Sequence, residues 1–349
     1  MSTNGLPISV PPARARSAQE IAGDLGAGRR VVLTTHVNAD GDGVGSEVAL
    51  WHLLTAQGMR VAIANPTPIP DRFAFLVPVR ADRSDHAVKE IEGADLIIVV
   101  DFADLTRLGD LAQAVRKTTV PTVCIDHHVS PGTLPAGPRL VAPEAAATAE
   151  LVFDLAATLH WEIAPAAARA MYVGILTDTG GFRFSNTSPR ALHVASVLLE
   201  RGVDPESIYE EVYASAPEGR VRLTAEVLQT LVVEPAVGLA WVTVPPDALA
   251  RLGATADDLD GIVEYPRSIA GVRLALLFRQ LANGRIKVSF RSLGNVDSAD
   301  LAHGFGGGGH RKAAGASVEG SLGDVQQRVL EAARSYLQGR AVARESSSQ

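Results

Sequence analysis

The most informative stretch of the chain reads Thr35-His36-Val37-Asn38-Ala39-Asp40-Gly41-Asp42-Gly43, and it directly follows the apolar run Val31-Val32-Leu33. It places one imidazole and two carboxylates just beyond a predicted buried strand. Taken alone, it could be an ordinary turn or a piece of a calcium loop, although it lacks the spaced ligands and the terminal glutamate of a calcium hand. A strand that ends in metal-ligand side chains predicts a metal site at that end of a sheet.

Apolar runs of strand length alternate with helical stretches through the first half of the chain. The predicted strands are Arg30–Thr35, Val61–Ala64, Leu96–Val100 and Thr122–Ile125, and Gly45–Gln57 has the length and apolar spacing of a helix. The five consecutive aliphatic residues of Leu96–Val100 are typical of a strand that is covered on both faces. The alternation predicts βαβ units, and hence a mainly parallel sheet in an α/β fold.

The second half of the chain predicts a further, smaller α/β domain. Residues 206–230 have almost no strand signal and predict a helical connector. Two strand-like runs, Val272–Gln280 and Arg285–Arg291, flank Asn283-Gly284, which is a strong hairpin signal. We therefore expect a first domain at 16–205 that opens with a helix capped by Ser17, a connector at 206–230, a second domain at 231–340 and a disordered tail at 341–349.

Three further stretches add candidate ligands. Asp101 follows the third predicted strand, Asp126-His127-His128 ends the fourth, and Asp178 follows a predicted helix. Each has an ordinary alternative: Asp101 could cap a helix, and adjacent histidines could be a chance surface pair. Open α/β sheets bind ligands beyond the carboxyl ends of their strands, where these residues would meet. Their agreement therefore predicts one metal site.

The side chains of this set favour particular ions. Carboxylates and imidazoles without a thiolate suit Mn²⁺, Fe²⁺ or Co²⁺ better than a zinc–thiolate site. The four aspartates at positions 40, 42, 101 and 178 would bring about four negative charges into one crevice, which is costly unless cations intervene. Two divalent cations would nearly balance them, and two such ions can polarise a phosphoryl group and hold an ionised water between them. The set predicts a two-metal phosphoesterase.

A glycine run near the end of the chain is the second informative feature. Gly306–Gly309 precedes His310-Arg311-Lys312, and the backbone N–H groups of glycines can form an anion-binding nest. The alternative is a flexible linker, but a linker would rarely carry His-Arg-Lys immediately after it. We expect phosphate contacts from this segment and from other basic residues; the candidates are Gly307, Gly308, Gly309, His310, Lys312, Arg291, Arg183 and Arg107.

The composition narrows the class and the location of the protein. The chain has 349 residues, enough for two domains, and its formal net charge of -7 gives no general reason to expect affinity for nucleic acids. Cys124 is the only cysteine, so no internal disulfide can form and a cytoplasmic location is the expectation. The N-terminus lacks the pattern of a secretory signal. No apolar stretch is long enough to span a membrane, and we expect no membrane partner.

The ligand stretches together resemble the motifs of the DHH phosphoesterases. The resemblance runs in order over most of the chain, through His36-x3-Asp40-x-Asp42, Asp101, Asp126-His127-His128 and Asp178. Phe182-Arg183-Phe184-Ser185-Asn186-Thr187 and the segment 305–315 are similar to the NrnA-like branch of that family. The resemblance implies a DHH domain that carries the chemistry, and a DHH-associated C-terminal domain that binds the nucleotide opposite the metals across a cleft.

The resemblance also implies a role for each ligand. One ion would be held by His36, Asp40 and Asp101, and the other by Asp42, Asp101, His127 and Asp178, with Asp101 as the bridge. His128 would face the phosphate, and Asp126 would orient its neighbours. The expected cofactors are two divalent cations, Mn²⁺ first, with Mg²⁺, Co²⁺ or Fe²⁺ as alternatives.

The NrnA-like branch degrades very short RNAs and dephosphorylates adenosine 3',5'-bisphosphate (pAp). The resemblance therefore implies hydrolysis of nanoRNA and of pAp by a hydroxide that bridges the two metals. The expected partners are short single-stranded RNA or nucleotides rather than long duplexes, and a homodimer. Two alternatives stay open: the same chemistry on cyclic di-adenosine monophosphate or its linear product pApA, and a nucleotide sensor that has lost catalysis. The complete ligand set speaks against the sensor.

Overall fold

The structure is a computed structural model that describes residues 8–128, 135–309 and 311–345. The chain divides into two compact units, residues 1–215 and 216–349, and each is described by itself. Among the described residues, every helix is too short or too polar to traverse a lipid bilayer.

The first unit is built on a five-stranded sheet whose strands all run parallel. Its strands, within the described residues, are β1 (Arg30–Thr34), β2 (Arg60–Ile63), β3 (Leu96–Val100), β4 (Thr122–Asp126) and β5 (Arg139–Val141), in the order β2-β1-β3-β4-β5. Val31 of β1 pairs with Val61 on one side and with Leu96 on the other. The predicted parallel α/β sheet is confirmed, and it brings the carboxyl ends of β1, β3 and β4 to one edge.

Eight α-helices belong to the described part of this unit. They are α1 (Pro12–Ala22), α2 (Gly41–Ala56), α3 (Ala87–Glu92), α4 (Leu111–Lys117), α5 (Thr148–Thr158), α6 (Pro165–Asp178), α7 (Pro189–Glu200) and α8 (Pro205–Tyr213), and short 3-10 helices span 71–76, 84–86 and 105–108. The predicted helix over Gly45–Gln57 is α2, which begins four residues earlier. Asp178, predicted to follow a helix, is the last residue of α6.

Side chains of the central strands alternate between two apolar cores, one on each face of the sheet. Val31 and Leu33 belong to the core formed with α2, α5 and α6, whereas Val32 belongs to the core formed with α3 and α4. All five residues of Leu96–Val100 are completely buried, which confirms the prediction of a strand covered on both faces.

Helix α1 begins at Pro12, so the predicted N-cap at Ser17 is wrong and that residue lies inside the helix. The first turn is anchored by Arg14, whose side chain is buried. Its Nη1 donates to Oε1 of Glu150 at 2.7 Å and to Oδ2 of Asp154 at 2.9 Å. A buried arginine is stable only when its charge is paired in this way. The first unit therefore includes residues ahead of the expected start at position 16.

The second unit contains a six-stranded mixed sheet. Its described strands are β6 (Val232–Glu234), β7 (Leu239–Thr243), β8 (Leu274–Gln280), β9 (Ile286–Ser292), β10 (Gly308–Gly309) and β11 (Ala313–Val318), in the order β10-β11-β9-β8-β7-β6. β7 and β8 pair in parallel, and the other described pairs are antiparallel. The described helices are α9 (Glu218–Gln229), α10 (Ala248–Arg251), α11 (Glu264–Arg267), α12 (Ser298–His303) and α13 (Leu322–Glu345), with a 3-10 turn at 257–259.

This architecture confirms the smaller α/β domain and the hairpin around Asn283-Gly284, which joins β8 to β9. The region predicted as a helical connector, 206–230, contains most of α8, which belongs to the first unit, and all of α9, which belongs to the second. Helix α13 continues to Glu345, into the segment predicted as a disordered tail (341–349), and residues 346–349 lie outside the described residues.

Candidate metal centre

The ends of three neighbouring strands supply the core of the site. His36 lies two residues beyond β1, Asp101 directly follows β3, and Asp126 is the last residue of β4. Asp101 has a φ of 51°, in the left-handed region that non-glycine residues seldom adopt. Such backbone strain persists where the surrounding structure fixes it, commonly at functional sites.

Asp40 and Asp42 are placed by the start of helix α2. Oδ1 of Asp40 caps the helix by accepting from the backbone N–H groups of Asp42 and Gly43 at 3.0 and 3.2 Å. Its Oδ2 is thereby turned toward His36. Asp42 lies in the first helical turn and is buried, with 1% of its surface exposed. The sequence order Asp-Gly-Asp therefore aims two carboxylates at one place.

The N-terminus of helix α5 holds two of the predicted ligands. The backbone N–H groups of Thr148 and Ala149 donate to the two carboxylate oxygens of Asp42 at 2.6 and 2.9 Å. The hydroxyl of Thr148 donates to Oδ1 of Asp101 at 3.1 Å. Free N–H groups at a helix start favour negative charge, so α5 stabilises this pair of carboxylates.

A close contact between α2 and α6 brings Asp178 to the others. A Cβ atom at Gly45 would lie 2.5 Å from the carbonyl oxygen of Ala170 and 3.0 Å from the backbone nitrogen of Gly174. Only glycine allows the backbones to approach so closely. The C-terminal end of α6, which carries Asp178, is consequently held against the start of α2.

The first group of ligand atoms comprises His36, Asp40 and Asp101. Nε2 of His36 lies 3.8 Å from Oδ2 of Asp40 and 3.7 Å from Oδ2 of Asp101. Nδ1 of His36 lies 2.8 Å from the carbonyl oxygen of Val37. Because a carbonyl can only accept, Nδ1 carries the proton, and Nε2 faces the carboxylates as a ligand atom would.

The second group comprises Asp42, His127 and Asp178. Nε2 of His127 lies 3.8 Å from Oδ2 of Asp42 and 3.7 Å from Oδ2 of Asp178. It also lies 3.6 Å from Oδ1 of Asp101, so the two oxygens of Asp101 face different groups. Nδ1 of His127 lies 3.3 Å from the carbonyl oxygen of Ala145, which orients this ring as Val37 orients that of His36.

These separations and charges fit metal ions. Distances of 3.6–3.8 Å are too long for hydrogen bonds, but atoms bound at about 2.0–2.2 Å to one ion lie roughly 3–4 Å apart. Burial and the carboxylates of Asp101 and Asp178 raise the pKa of Asp42 well above its usual range. Burial opposes protonation of His36, but Asp101 and Asp40 outweigh it and raise its pKa to about 10. Beyond the burial of Asp42, both shifts reflect excess negative charge, which cations would compensate.

Asp126 supports a third histidine. Its Oδ1 lies 2.8 Å from Nδ1 of His128, and its Oδ2 accepts from the backbone N–H of Ala103 at 2.7 Å. Nδ1 of His128 is 3.5 Å from Oδ1 of Asp101. Burial lowers the pKa of His128, but the hydrogen bond to Asp126 and the charge of Asp101 outweigh burial and raise it, while nearby Arg107 opposes them. The structure thus places Asp126, His128 and Arg107 beside the ligand groups.

Sequence reasoning missed three residues that support the site. Asn186 donates through Nδ2 to Oδ2 of Asp178 at 3.2 Å and to the carbonyl oxygen of Ala146 at 2.9 Å. Thr148 supports Asp42 and Asp101, as described above. Oδ1 of Asn65 accepts from the backbone N–H of Thr35 at 3.0 Å, one residue before His36. Asn186 lies in the segment quoted for the NrnA-like branch, but its pattern gives no signal for a partner eight residues away.

The remaining candidates for substrate contact are placed as follows. Arg183 is exposed, and its Nε donates to the carbonyl oxygen of Gly180 at 2.6 Å. In the second unit, Nε of Arg291 lies 3.3 Å from Oε1 of Glu264, and Nζ of Lys312 donates to the carbonyl oxygen of Gly294. His310 lies outside the described residues. Phosphate binding by these residues stays a prediction.

The glycine run has a structural role that the sequence did not show. Gly308 and Gly309 form β10 and pair with Gly315 and Ala314 of β11. A Cβ atom at Gly307 would lie 2.2 Å from the carbonyl oxygen of Gly315, and one at Gly309 would lie 2.6 Å from that of Ala313. The glycines permit this close pairing of strands, and an anion-binding nest stays a prediction.

Comparison with known proteins identifies two domains. The model of the DHH family, N-terminal domain, matches residues 30–175, and that of the DHHA1 domain matches residues 239–339. All the ligand stretches except Asp178, which lies just beyond the first match, fall within residues 30–175.

Individual relatives agree with these domains. A bifunctional oligoribonuclease and PAP phosphatase NrnA from Thermus thermophilus is 36% identical over 314 residues, which cover 88% of this chain and 90% of the relative. An exopolyphosphatase-related protein from Bacteroides fragilis has a similar structure, with a TM-score of 0.87, 28% identity, and coverage of 95% of this chain and 100% of that one. RecJ from Thermus thermophilus in complex with Mn²⁺, with a TM-score of 0.57 and 14% identity over 95% of this chain and 56% of that one, shares the fold. The chain therefore belongs to the DHH family of phosphoesterases and is similar to its NrnA members.

Proposed function

We propose that this phosphoesterase hydrolyses very short RNA oligonucleotides to mononucleotides and removes the 3'-phosphate of pAp by a two-metal mechanism. The observation that carries the proposal is the position of Asp101. One of its carboxylate oxygens faces His36 at 3.7 Å, and the other faces His127 at 3.6 Å. A carboxylate shared in this way is the usual bridge between two catalytic ions. The NrnA relative from Thermus thermophilus is named for both proposed activities.

The residues of the chain divide the work. His36, Asp40 and Asp101 would hold one divalent cation, and Asp42, Asp101, His127 and Asp178 would hold the second. When bound, such ions polarise the phosphoryl group and lower the pKa of water to make a nucleophile. His128, oriented by Asp126 at 2.8 Å, would donate to a phosphate oxygen, and Arg107 would add positive charge nearby.

Substrate recognition is assigned to residues of both units. In the first, Arg183 and Arg107 are the candidates. In the second, Arg291 can present a planar guanidinium to a phosphate, and the remaining candidates are Gly307, Gly308, Gly309, His310 and Lys312. A C-terminal domain that accommodates only a few nucleotides would explain a preference for short substrates. A homodimer and a cytoplasmic location are further parts of the proposal.

Mn²⁺ is the proposed ion. The ligand set of carboxylates and imidazoles suits it, and RecJ, which shares the fold, is described in complex with Mn²⁺. Mg²⁺, Co²⁺ and Fe²⁺ are the alternatives. Isothermal calorimetry of each ion binding to chelator-treated protein would rank the affinities of the ions independently of turnover. A stoichiometry of two per chain is expected for Mn²⁺, and a stoichiometry of one would contradict the shared role of Asp101.

The function itself is tested with a panel of substrates and Mn²⁺. Di- to pentanucleotides and pAp should release mononucleotides and phosphate, and a long RNA should be degraded more slowly than a dinucleotide. Faster turnover of cyclic di-adenosine monophosphate or pApA would redirect the assignment to those substrates, and inorganic pyrophosphate serves as a control. Tight binding of pAp to the Mn²⁺-loaded protein without any phosphate release would indicate a sensor instead.

A further inference from the structure

Two cations face each other across the hairpin of the second sheet. Arg279 of β8 and Lys287 of β9 are directly paired in the register, so their side chains leave the same face. Among the described residues, neither forms an ion pair with a carboxylate. Like charges directly opposite one another destabilise a hairpin, so folding alone gives no reason for this pair.

Further polar groups continue the same row. Ser289 and Arg291 follow Lys287 at two-residue intervals along β9 and lie on its face of the sheet. Alternate residues on a strand are about 6.6 Å apart, so the hydroxyl and the cations form a line with regular spacing. A line of donors matches a chain of phosphates better than it matches one compact anion.

These side chains line one cavity within the second unit. The cavity is small, with a volume of about 50 Å³, and is bounded on its other side by residues 256–263. Its lining contains three cations against a single carboxylate, that of Asp260, and apolar surface from Leu259 and Val263. A space of this size lined by cationic groups suits a phosphate group of a longer ligand rather than a whole nucleotide.

Arg279 also has an unsatisfied donor. Its Nε is buried and has no hydrogen-bond partner among the described atoms. A buried cationic N–H group without an acceptor costs stability, and such groups in native structures call for a specific explanation. A small shift of the side chain on binding an anion would give the guanidinium its acceptors.

We propose that this cavity binds the phosphodiester backbone of the nucleotides that follow the cleaved one in a short RNA. Arg279 and Lys287 hold the additional phosphates, and Ser289 donates to the chain between them and Arg291. The proposal rests on the proposed function in naming RNA as the ligand. It assigns to Arg279 and Lys287 the difference in affinity between a mononucleotide such as pAp and a longer oligonucleotide.

Binding in a chelator-containing buffer tests this site without turnover. Fluorescence anisotropy would measure the affinity of each variant for a labelled pentanucleotide, and competition by unlabelled pAp would give its affinity for pAp. The variants are Arg279→Ala, Lys287→Ala and the matched control Arg222→Ala. Arg222 is an exposed cation of α9 that pairs with Glu218, outside the cavity. Each cavity variant should lose roughly 5- to 10-fold more affinity for the pentanucleotide than for pAp. The slope of log affinity against log salt concentration for the pentanucleotide should also become shallower, by about the amount expected for one lost phosphate contact.

The proposal would be overturned if a cavity variant lost as much affinity for pAp as for the pentanucleotide, since such a loss would reflect overall charge. It would also be overturned if Arg222→Ala lost as much affinity for the pentanucleotide as the cavity variants do. Tripolyphosphate should compete less well than a trinucleotide; stronger competition would overturn the assignment to RNA. Circular dichroism of each variant checks that the fold is intact. Failure of the proposed function would appear as absent turnover of every substrate, whereas failure of this site would appear only as unchanged selectivity in the binding assay.

Discussion

Gly174 lies directly against the carboxylate of Asp42: a Cβ atom at residue 174 would be 2.8 Å from Oδ1 of Asp42. The contact couples the packing of α6 against α2 to the position of a metal ligand. It explains why a glycine occurs in the interior of a helix, where it costs roughly 1 kcal/mol relative to alanine.

Gly174→Ala should therefore weaken metal binding as well as stability. The added methyl group would push against both Asp42 and Ala149, and overpacking of this kind costs about 1–3 kcal/mol. Urea unfolding and Mn²⁺ titration would measure the two effects. Gly339→Ala in α13 is a matched control, because a Cβ atom there meets no atom within 4 Å. Equal Mn²⁺ affinity in Gly174→Ala and the wild type would contradict the expectation.

Asp101→Asn should remove the shared ligand of both groups. The variant keeps the shape of the side chain but lacks the charge that faces His36 and His127. We expect turnover to fall on the order of 10³-fold and the number of bound Mn²⁺ ions per chain to decrease. Asp104→Asn, in the same loop, is the control, since that carboxylate caps the following turn by accepting from Thr106. Near-normal turnover in Asp101→Asn would mean that Asp101 is not the bridge.

Asn186→Ala should loosen a single ligand. Asn186 ties the carboxylate of Asp178 to the loop at Ala146, and loss of such a support typically costs 10- to 100-fold in metal affinity or activity, so about that range is expected here. The effect should fall on one of two Mn²⁺ binding steps, that of the group containing Asp178, while the other step keeps its affinity. Equal weakening of both steps, measured by calorimetry, would indicate a general loss of structure instead.

Glu47 predicts a pH dependence of stability. It is completely buried on α2, where Oε2 accepts from Nδ2 of Asn65 at 2.9 Å, and burial raises its pKa to about 8. Because the folded-state pKa lies above the unfolded value, the folded protein binds the proton more tightly. This contribution is complete below the unfolded pKa and is lost as the pH rises toward 8, by on the order of a few kcal/mol.

Glu47→Gln removes that titration and can keep the hydrogen bond to Asn65. Relative to wild type, the variant should become more stable as the pH is raised from 5 to 9. Thermal unfolding of both proteins at a series of pH values measures the difference, in which the titrations common to both cancel. A difference in Tm that stays constant over this range would sink the idea that Glu47 is protonated in the folded protein.

The fold of the first unit and the grouping of the candidate ligands could be predicted from the sequence, for a physical reason. Buried parallel strands are continuous apolar runs, as in Leu96–Val100, and their carboxyl ends coincide at one edge. Residues directly after those runs, such as His36 and Asp101, could therefore be assigned to one place before any coordinates were known.

The supporting contacts could not be predicted in the same way. Thr148 acts through its backbone N–H on Asp42, which is 106 residues away, and every residue type except proline offers that donor. The first turn of α1 is fixed by the pairing of Arg14 with Glu150 and Asp154. Helix-capping rules consider only neighbouring residues, so they cannot predict contacts that are this distant in the sequence. The glycine run was interpreted as a nest because glycine serves equally for an anion site and for close strand pairing.

The peptide N–H groups at the start of α5 have one further consequence. They bind Asp42 through hydrogen bonds from the protein itself, and the carbonyl oxygens of Val37 and Ala145 orient the rings of His36 and His127 in the same way. Dialysis against a chelator should accordingly yield an inert protein that is still folded, and returning manganese should revive it at once. Binding and release of the metal ions would then be a simple equilibrium that does not require the protein to unfold and refold.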